Sequence, residues 1–273
     1  MATYNTRIKK RNASNTGWDS ILPITTAENV LINEQGDTVI PLATTANATY
    51  YVNASTGSDE NDGSASDKAF KTINKALNQI PQIVNHIITI NIANGTYAEA
   101  IVLQGKLGFG GISLAPSTDV ILSGYASSIL SSVGKTAIGI KNCSCGISLY
   151  GNNPIKIKPA GNLGSDIFTG LEVKDSISSS GVKRISINRS DITTTGAKKG
   201  VVAYGSILYL FECVISANNG IEALYGAHVH SHNNTGSNDG TALIAMRGAV
   251  ISKEGTQPTG TTAEKTSTGG VIR

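Results

Sequence analysis

Three of the four histidines in this chain fall on alternate positions, in the segment G-A-H-V-H-S-H at residues 226–232. Side chains at positions i, i+2 and i+4 of an extended strand point to one face, so His228, His230 and His232 would form a row. Such a row could bind a metal ion, contact a sugar or cover a surface. Neutral imidazole is a common metal ligand, which makes His228 and His230 the metal-site candidates, while no other feature indicates a cofactor.

Acidic residues form a second candidate set, because a glycosidase needs two carboxylates about 5–10 Å apart. Glu172, Asp175 and Asp191 would come close together if neighbouring repeats stack, and Glu212 with Glu222 is another pairing. Acidic residues one repeat apart also arise by chance in any stacked array. The sequence therefore leaves enzymatic activity uncertain and favours its absence.

A third set has the chemistry of a sugar-binding surface, which combines exposed aromatic rings with amides. The candidate sugar contacts are Tyr204, Tyr209, Tyr225, Asn218, Asn233 and His230. The competing interpretation of the asparagines is that they satisfy backbone groups at tight turns between strands.

A sequence repeat indicates the elements that position these residues. Glycine opens a β-branched run at Gly200, Gly220 and Gly240, and an inner glycine follows at Gly205, Gly226 and Gly248. A period near 20 with several short strands and no intervening helix is typical of a β-solenoid. We therefore predict an all-β, right-handed parallel β-helix over residues 87–255, with about seven or eight coils at roughly 4.8 Å spacing.

Residues 49–86 read as a strand, a polar loop and one amphipathic helix. The apolar stripe predicts a helix over 68–80, with Ser66 or Asp67 as its N-cap and Pro81 at its end. This helix is placed to cover the open N-terminal end of the solenoid. The acidic loop S-D-E-N-D-G lacks the ligand spacing of an EF-hand and is expected to be a solvated turn.

Composition excludes several classes of protein. Only 15% of residues are charged and the net charge is +3, which is too weak for a nucleic-acid surface. No apolar stretch is long enough to insert into a membrane. The N-terminus has basic residues without an apolar segment after them, so we expect no signal peptide and synthesis in the cytoplasm.

The cysteines are Cys143, Cys145 and Cys213, and an odd number in a long chain gives no disulfide framework. Cys143 and Cys145 would share a strand face as buried thiols. A C-x-C metal or redox site is the alternative, and no second cysteine pair supports it.

Two segments resemble known families. The block Y-V-N-A-S-T-G-S-D-E-N-D-G-S-A-S-D-K-A-F-K-T-I-N-K-A-L, followed by I-A-N-G-T-Y-A-E, resembles the opening of pectin-lyase-like β-helix proteins. The segment Y-N-T-R-I-K-K-R-N-A-S-N-T-G-W-D-S-I-L-P-I-T-T-A-E-N-V is similar to the N-terminal region of tail-fibre and baseplate proteins of phages, and the C-terminal stretch resembles the endings of such proteins.

These resemblances imply a virion component that works as a homotrimer. Residues 1–48 would be a small attachment segment that binds other tail or baseplate proteins, with Trp18, Asp19 and Pro23 in that role, and residues 256–273 would be a loose tail. The run Ile207–Phe211 is apolar on both faces, so a neighbouring copy could cover its outer face.

The expected function is a phage tail-fibre or baseplate component that binds host surface polysaccharide, and the alternative is a lyase or glycoside hydrolase that cleaves it. If Leu208, Leu210 and Val229 fill the interior of the solenoid, the histidine row points outward.

Overall fold

The computed structural model describes residues 8–11, 18–21, 42–130, 134–150, 155–158, 167–177, 184–193 and 199–273. Of the residues expected to attach the chain to a particle, Pro23 lies outside the described residues. Trp18 and Asp19 lie in the second strand of a two-stranded antiparallel ribbon. Their role in attachment stays a prediction.

The described regular structure is nearly all strand. The strands are β1 Ile8–Arg11, β2 Trp18–Ile21, β3 Ala48–Val52, β4 Ile87–Ile92, β5 Gly95–Tyr97, β6 Ile101–Gln104, β7 Gly111–Pro116, β8 Val120–Leu122, β9 Ala126–Ser127, β10 Gly134–Lys141, β11 Gly146–Leu149, β12 Ile155–Ile157, β13 Ile167–Lys174, β14 Ile185–Asn188, β15 Asp191–Thr193, β16 Lys199–Tyr204, β17 Ile207–Phe211, β18 Val214–Ser216, β19 Asn219–Leu224, β20 His228–His232, β21 Ser237–Met246, β22 Val250–Glu254, β23 Thr259–Ser267 and β24 Val271–Ile272. A 3₁₀ turn spans Ser66–Lys68 and the helix α1 spans Ile73–Asn78.

Three parallel sheets form the sides of the solenoid, and sheet II is the shortest of them. Sheet I contains β3, β4, β7, β11, β14, β17, β20, β22 and β24. Sheet II contains β5, β8, β12, β15 and β18, and sheet III contains β6, β10, β13, β16, β19, β21 and β23, with β9 paired antiparallel to β10. The chain visits sheets I, II and III in turn and then returns to sheet I one strand further along. This topology confirms the predicted parallel β-helix.

The core consists of columns of inward side chains that stack from coil to coil. One column of sheet III is aligned by strand register and is almost fully buried; it contains Ile101, Ile138, Leu171, Val201, Ile221 and Leu243. Each coil buries its apolar residues against the coils on either side, so no single coil is stable alone.

The predicted period of 20 is only partly correct. Strand register aligns Lys199 with Asn219 and Val201 with Ile221, so Gly200 and Gly220 share a column. Ile221 then aligns with Leu243, which places residue 242 instead of 240 in the glycine column. The number of residues in a coil therefore varies, because the turns between strands differ in length.

The N-terminal end is covered as expected, but the helix is shorter than predicted. Thr72 is the N-cap of α1, and its side chain accepts a hydrogen bond from the Lys75 N–H. The Glu99 carboxylate accepts the N–H groups of Ile73 and Asn74 at 2.7 and 2.9 Å. The prediction of Ser66 or Asp67 as the cap is wrong, because the capping carboxylate comes from the first coil, distant in sequence.

Helix α1 packs against β3 and β6, the first strands of sheets I and III. Its buried residues are Ile73, Ala76 and Leu77. In the described part of the chain, no helix has the length and apolar character needed to cross a membrane.

The acidic loop before α1 is a hydrogen-bonded turn, as expected. Asp59 accepts the N–H groups of Lys71 and Thr72, both at 2.9 Å, and Asp62 accepts from Ser64. Carboxylates that accept backbone N–H groups fix the loop conformation.

The prediction of a loose tail after residue 255 is wrong. Strands β23 and β24 continue sheets III and I for one further coil. The inward positions of β23 are polar: Glu264 aligns with Leu243 and forms an ion pair with Lys253. The Gln257 amide also bonds the backbone oxygen of Ser231 at 3.0 Å. Inward polar side chains close the apolar core at this end, which explains a sequence that looks too polar for a solenoid coil.

The three cysteines are buried free thiols, as the first interpretation predicted. Cys143 donates to the Lys141 carbonyl oxygen at 3.3 Å. Burial raises the pKa of Cys213 to about 11, which keeps it protonated. Within the described residues, no group of three or more histidine, cysteine or acidic side chains could hold a metal ion.

Candidate functional site

The histidine row lies on the outer face of sheet I. Register pairs His228 with Ile207, His230 with Tyr209 and His232 with Phe211. The alternating residues Leu208, Leu210 and Val229 are fully buried in the interior. The row is half-buried and faces outward, which confirms the direction predicted from alternation.

Four side chains of this face form a continuous stack that crosses from β17 to β20 and then follows β20. The Arg184 guanidinium carbon lies 4.7 Å from the Tyr209 ring centre. Tyr209 stacks on His230 at 4.3 Å with an interplanar angle of 2°, and His230 stacks on His228 at 4.2 Å. We call these four residues the Arg–Tyr–His stack. Both faces of Tyr209 are therefore occupied within the chain, so a sugar ring cannot lie flat on it without displacing a neighbour.

The stack disfavours protonated histidine. Burial lowers the pKa of His230, and the nearby His228 and Arg184 lower it further. Burial also lowers the pKa of His228, whose Nε2 lies 3.0 Å from the Ser252 hydroxyl oxygen. Arg184 is thus the permanent charge of the stack at neutral pH.

The stacked geometry also bears on the predicted metal site. A metal ligated by histidine lies in the plane of the imidazole ring, about 2.1 Å from a nitrogen. The rings of His228 and His230 lie face to face, so an ion in the plane of one ring is out of the plane of the other. A metal bound at this row would therefore need ligands from another chain, and the metal site stays a prediction.

A second aromatic cluster lies at the corner between sheets III and I. Tyr204 and Tyr225 pack with their ring centres 4.2 Å apart and their planes tilted by 32°. The Lys174 ammonium lies 5.3 Å from the Tyr204 ring centre, and the Arg247 guanidinium carbon lies 4.2 Å from that of Tyr225. The outer faces of both rings are thus covered by cations, as on sheet I.

The two asparagines among the sugar-contact candidates lie elsewhere. Asn233 occupies a corner between sheets I and II with a φ of 50°, and its Oδ1 accepts the Thr256 N–H at 3.3 Å. This geometry supports the interpretation of Asn233 as a turn residue. Asn218 is exposed at the corner between sheets II and III, where its backbone oxygen accepts the Gly240 N–H. The six candidates therefore do not form one site.

A groove beside the Arg–Tyr–His stack brings together residues that the sequence did not single out. It encloses about 450 Å³ on the outer face of sheet I, and its lining includes Arg184, Phe211, Ser113, Ser148 and Ser186. The three serines form one column across β7, β11 and β14, continued by Tyr209. Gly111 and Gly146 pair in the next column. Short side chains create the depression, and Arg184 and Phe211 form its wall; we call it the sheet I groove.

The floor of the sheet I groove presents unused hydrogen-bonding groups. None of the hydroxyls of Ser113, Ser148 and Ser186 bonds to another described residue. A hydroxyl both donates and accepts, and adjacent strands place the three roughly 4.8 Å apart. Convergent free hydroxyls, a guanidinium and an aromatic edge are the chemistry of a polyhydroxylated ligand site.

The structure separates the three catalytic candidates. Asp175 is exposed at the corner between sheets III and I, with a φ of 47°. Asp191 lies on β15 of sheet II beside Lys156, and its Oδ1 is buried without a partner among the described residues. Glu172 lies on the outer side of sheet III. Asp191 lies on sheet II, whereas Glu172 lies on β13 of sheet III and Asp175 just beyond the end of that strand, so the three carboxylates do not converge on one site.

Glu172 is instead an anchor for the segment after β9. Its carboxylate accepts the Ser128 hydroxyl at 2.7 Å and the Ile129 N–H at 2.8 Å, and the side chain is buried. Burial raises the pKa of Glu172 and outweighs these hydrogen bonds, which lower it.

Glu222 shares an outward column with Glu172, with Val202 between them. Two strand spacings put the carboxylates roughly 10 Å apart along the stack. Glu222 is buried and bonds Lys199 Nζ at 2.7 Å and Asn219 Nδ2 at 2.8 Å. The other predicted acid, Glu212, pairs with Arg189 at an exposed corner, at 2.7 Å.

Comparisons with known proteins add little to this picture. No family model and no curated protein matches the sequence. Among solved structures, the chain is similar to a GH136 lacto-N-biosidase from Eubacterium ramulus, with a TM-score of 0.34 and 11% identity. The match covers 82% of this chain and 57% of that chain, so the chain spans a little over half of its length. The fold assignment therefore rests on the sheet topology, and function is argued from the residues of the site.

Proposed function

We propose that this chain is a rod-shaped, non-enzymatic glycan-binding protein that belongs to a phage tail or a tail-like particle. The observation that carries the glycan-binding part is the sheet I groove, in which hydroxyls that bond to no other described residue lie beside Arg184 and Phe211. Sugar hydroxyls can replace the water on these groups with matched hydrogen bonds. The solenoid holds the groups on rigid strands, so little entropy is lost when a ligand binds.

The groove fits a saccharide chain that lies along the solenoid axis. Its hydroxyl column repeats at the strand spacing of roughly 4.8 Å, close to the length of one pyranose ring. Phe211 is tilted against His232 at 5.5 Å and lines the groove, so it offers the ligand an apolar contact. Tyr209 acts here as support for Arg184, because both of its faces are covered.

Binding is tested with the purified chain on a panel of bacterial capsular polysaccharides and wall teichoic acids, by biolayer interferometry. We expect saturable binding to at least one polymer, and we expect Ser148→Trp, which fills the groove, to abolish it. Thr96→Trp is the matched control, because Thr96 is an exposed outward residue of β5 on sheet II. Equal binding by both variants would contradict the assignment of the site.

The particle context is the second part of the proposal, and what supports it is the resemblance of residues 1–48 and of the C-terminal stretch to phage tail proteins. Attachment would run through the N-terminal segment, and the protein would reside in the virion. A mass-spectrometric search for this chain in purified virions or tail-like particles tests it. Absence of the chain from tails that contain all other structural proteins would contradict it.

We also propose a homotrimer. The outward residues of β17 are already half-buried within one chain, so they do not require a neighbour. A better contact is the corner between sheets III and I, where Leu107, Phe109 and Ile177 are 42%, 70% and 51% exposed. Native mass spectrometry of the native chain and of the Phe109→Glu variant tests this contact. We expect a trimer that the introduced carboxylate dissociates; a variant that remains trimeric would argue against a contact through Phe109.

A second candidate function is cleavage of the glycan, and the observation that favours it is the Glu172–Glu222 column. Inverting glycosidases separate their carboxylates by about 6.5–9.5 Å, close to two strand spacings. Both carboxylates already bond the chain's own donors, which is why binding is preferred. An assay for new reducing ends or ultraviolet-absorbing unsaturated ends decides: cleavage that is lost in both Glu172→Gln and Glu222→Gln would establish the enzyme.

A further inference from the structure

The sheet I groove contains a cation, Arg184, that no carboxylate in the described part of the chain neutralises. Arg184 is exposed, and no carboxylate of the described residues forms an ion pair with it. Other cations near the ends of neighbouring strands are paired: Arg189 lies 2.7 Å from a Glu212 oxygen, and Lys156 lies 2.6 Å from an Asp119 oxygen. Arg184 differs from them in facing a groove.

The stack fixes the orientation of this cation. The Arg184 guanidinium lies over the Tyr209 ring, and the ring is held from its other side by His230. A guanidinium donates hydrogen bonds in its own plane, so stacking leaves its donor edges free and limits their directions. Pre-orientation of this kind reduces the entropy lost when an anion binds.

The neighbouring charges do not cancel that cation. The residues that line the groove with Arg184 include Ser148, Ser186 and Phe211, and none of the lining residues is acidic. Among the described residues, the carboxylates near the outward side of β20 are those of Glu254, which lies 3.7 Å from the His232 ring nitrogen, and Glu212, which interacts with the same histidine beyond His230. The groove is thus a site of positive potential with hydroxyl donors beside it.

We infer that the sheet I groove selects saccharides that carry a negative charge, with Arg184 holding the anion and the hydroxyls of Ser113, Ser148 and Ser186 bonding the sugar oxygens. The charge is a carboxylate or a phosphate, both of which a guanidinium binds through two parallel hydrogen bonds. This inference rests on the proposed glycan binding and deepens it, because it specifies the class of ligand.

The test uses one polymer backbone in three charge states: dextran, carboxymethyl-dextran and dextran phosphate. The full chain is compared with Arg184→Gln and with Arg247→Gln, a matched control whose guanidinium also stacks on a tyrosine, Tyr225, at the corner between sheets III and I. We expect the native chain to bind a charged dextran at least tenfold more tightly than the neutral polymer. Arg184→Gln should lose about tenfold, as for one charge-assisted hydrogen-bonding group, and Arg247→Gln should stay within about twofold. The two charged polymers distinguish a carboxylate from a phosphate ligand.

Arg184→Lys serves as a second variant, because it keeps the charge and loses the planar donor pair; partial retention of binding is the expected result. Thermal unfolding of each variant verifies that it folds. Equal losses of affinity in Arg184→Gln and Arg247→Gln would overturn the inference, since they would indicate that the anionic polymer responds to the overall positive charge of the protein and not to Arg184. Binding of neutral glycans that is unaffected by Arg184→Gln overturns the inference and leaves the proposed function standing. No binding to these dextrans or to any bacterial polysaccharide overturns both.

Discussion

Replacing Tyr209 by phenylalanine and by alanine separates two roles for this ring. If Tyr209 contacts a sugar through its hydroxyl, both replacements weaken binding. If it positions Arg184, only the alanine replacement does so, because phenylalanine keeps a ring between Arg184 and His230. The tyrosine hydroxyl bonds to none of the described residues, and the ring is stacked on both faces. The geometry therefore predicts the positioning role.

The expected effect on stability follows from the two stacked contacts. The Tyr209–His230 pair at 4.3 Å contributes about 0.5–1.5 kcal/mol as a stacked aromatic pair. The Arg184 contact at 4.7 Å contributes about 0.5–1 kcal/mol at an exposed site. Tyr209→Ala should thus lower the free energy of unfolding by about 1–2.5 kcal/mol, or the Tm by about 3–8 °C. Tyr209→Phe should cost less than about 0.5 kcal/mol.

Both quantities are measurable on the same samples. Circular dichroism melting gives the Tm of each variant, and interferometry with carboxymethyl-dextran gives its affinity. We expect Tyr209→Phe to match the native chain in both, and Tyr209→Ala to lose several-fold in affinity because Arg184 is no longer held. A Tyr209→Phe variant that binds as poorly as Tyr209→Ala would refute the positioning role and would place the hydroxyl on the ligand.

Three further predictions concern stability. Ending the chain at Gly255 removes the closing coil and uncovers the apolar side chains beneath it, so the Tm should fall by about 10 °C or more; a change under about 2 °C would restore the loose-tail interpretation. Glu172→Ala removes the acceptor of the Ser128 hydroxyl and of the Ile129 N–H and should lower the free energy of unfolding by about 1–3 kcal/mol. Glu172→Gln should change it little at pH 7, because burial raises the pKa of Glu172 and disfavours its charged form. Equal urea midpoints for the two variants would argue against the anchor role. Folding lowers the pKa of His230, so the unfolded chain takes up the proton first, and stability that is present above about pH 6.5 is lost as the pH falls. The drop in Tm from pH 7.5 to pH 5.5 should therefore be smaller in His230→Phe than in the native chain. The same drop in both proteins would contradict a contribution of His230 to the pH dependence.

The sequence predicts those features of the fold that depend on residues close together in the chain. Alternation along residues 207–211 and 228–232 determines which side chains enter the interior, and the structure confirms it. The helix boundary was missed because Glu99, from the first coil, caps α1. The closing coil does not follow from an apolar strand pattern, because the inward positions of its longer strand, β23, are polar, as Glu264 illustrates.

The groove could not be predicted in the same way. It requires Ser113, Ser148 and Ser186 to share one column, and they come from coils whose lengths differ. A repeat of constant period does not align them, so neither the column nor the position of Arg184 beside Tyr209 follows from spacing. The predicted sugar contacts were chosen by residue type, and strand register distributes them over a sheet face and three corners.

The most direct test of the account compares the binding of bacterial surface polysaccharide by the native chain with that of a variant whose sheet I groove is filled by a tryptophan side chain. We predict that the native chain and Thr96→Trp bind with the same affinity, and that Ser148→Trp loses at least tenfold while its Tm stays within a few degrees of the native value. Native-like binding by a folded Ser148→Trp variant would contradict the assignment of the groove as the glycan site.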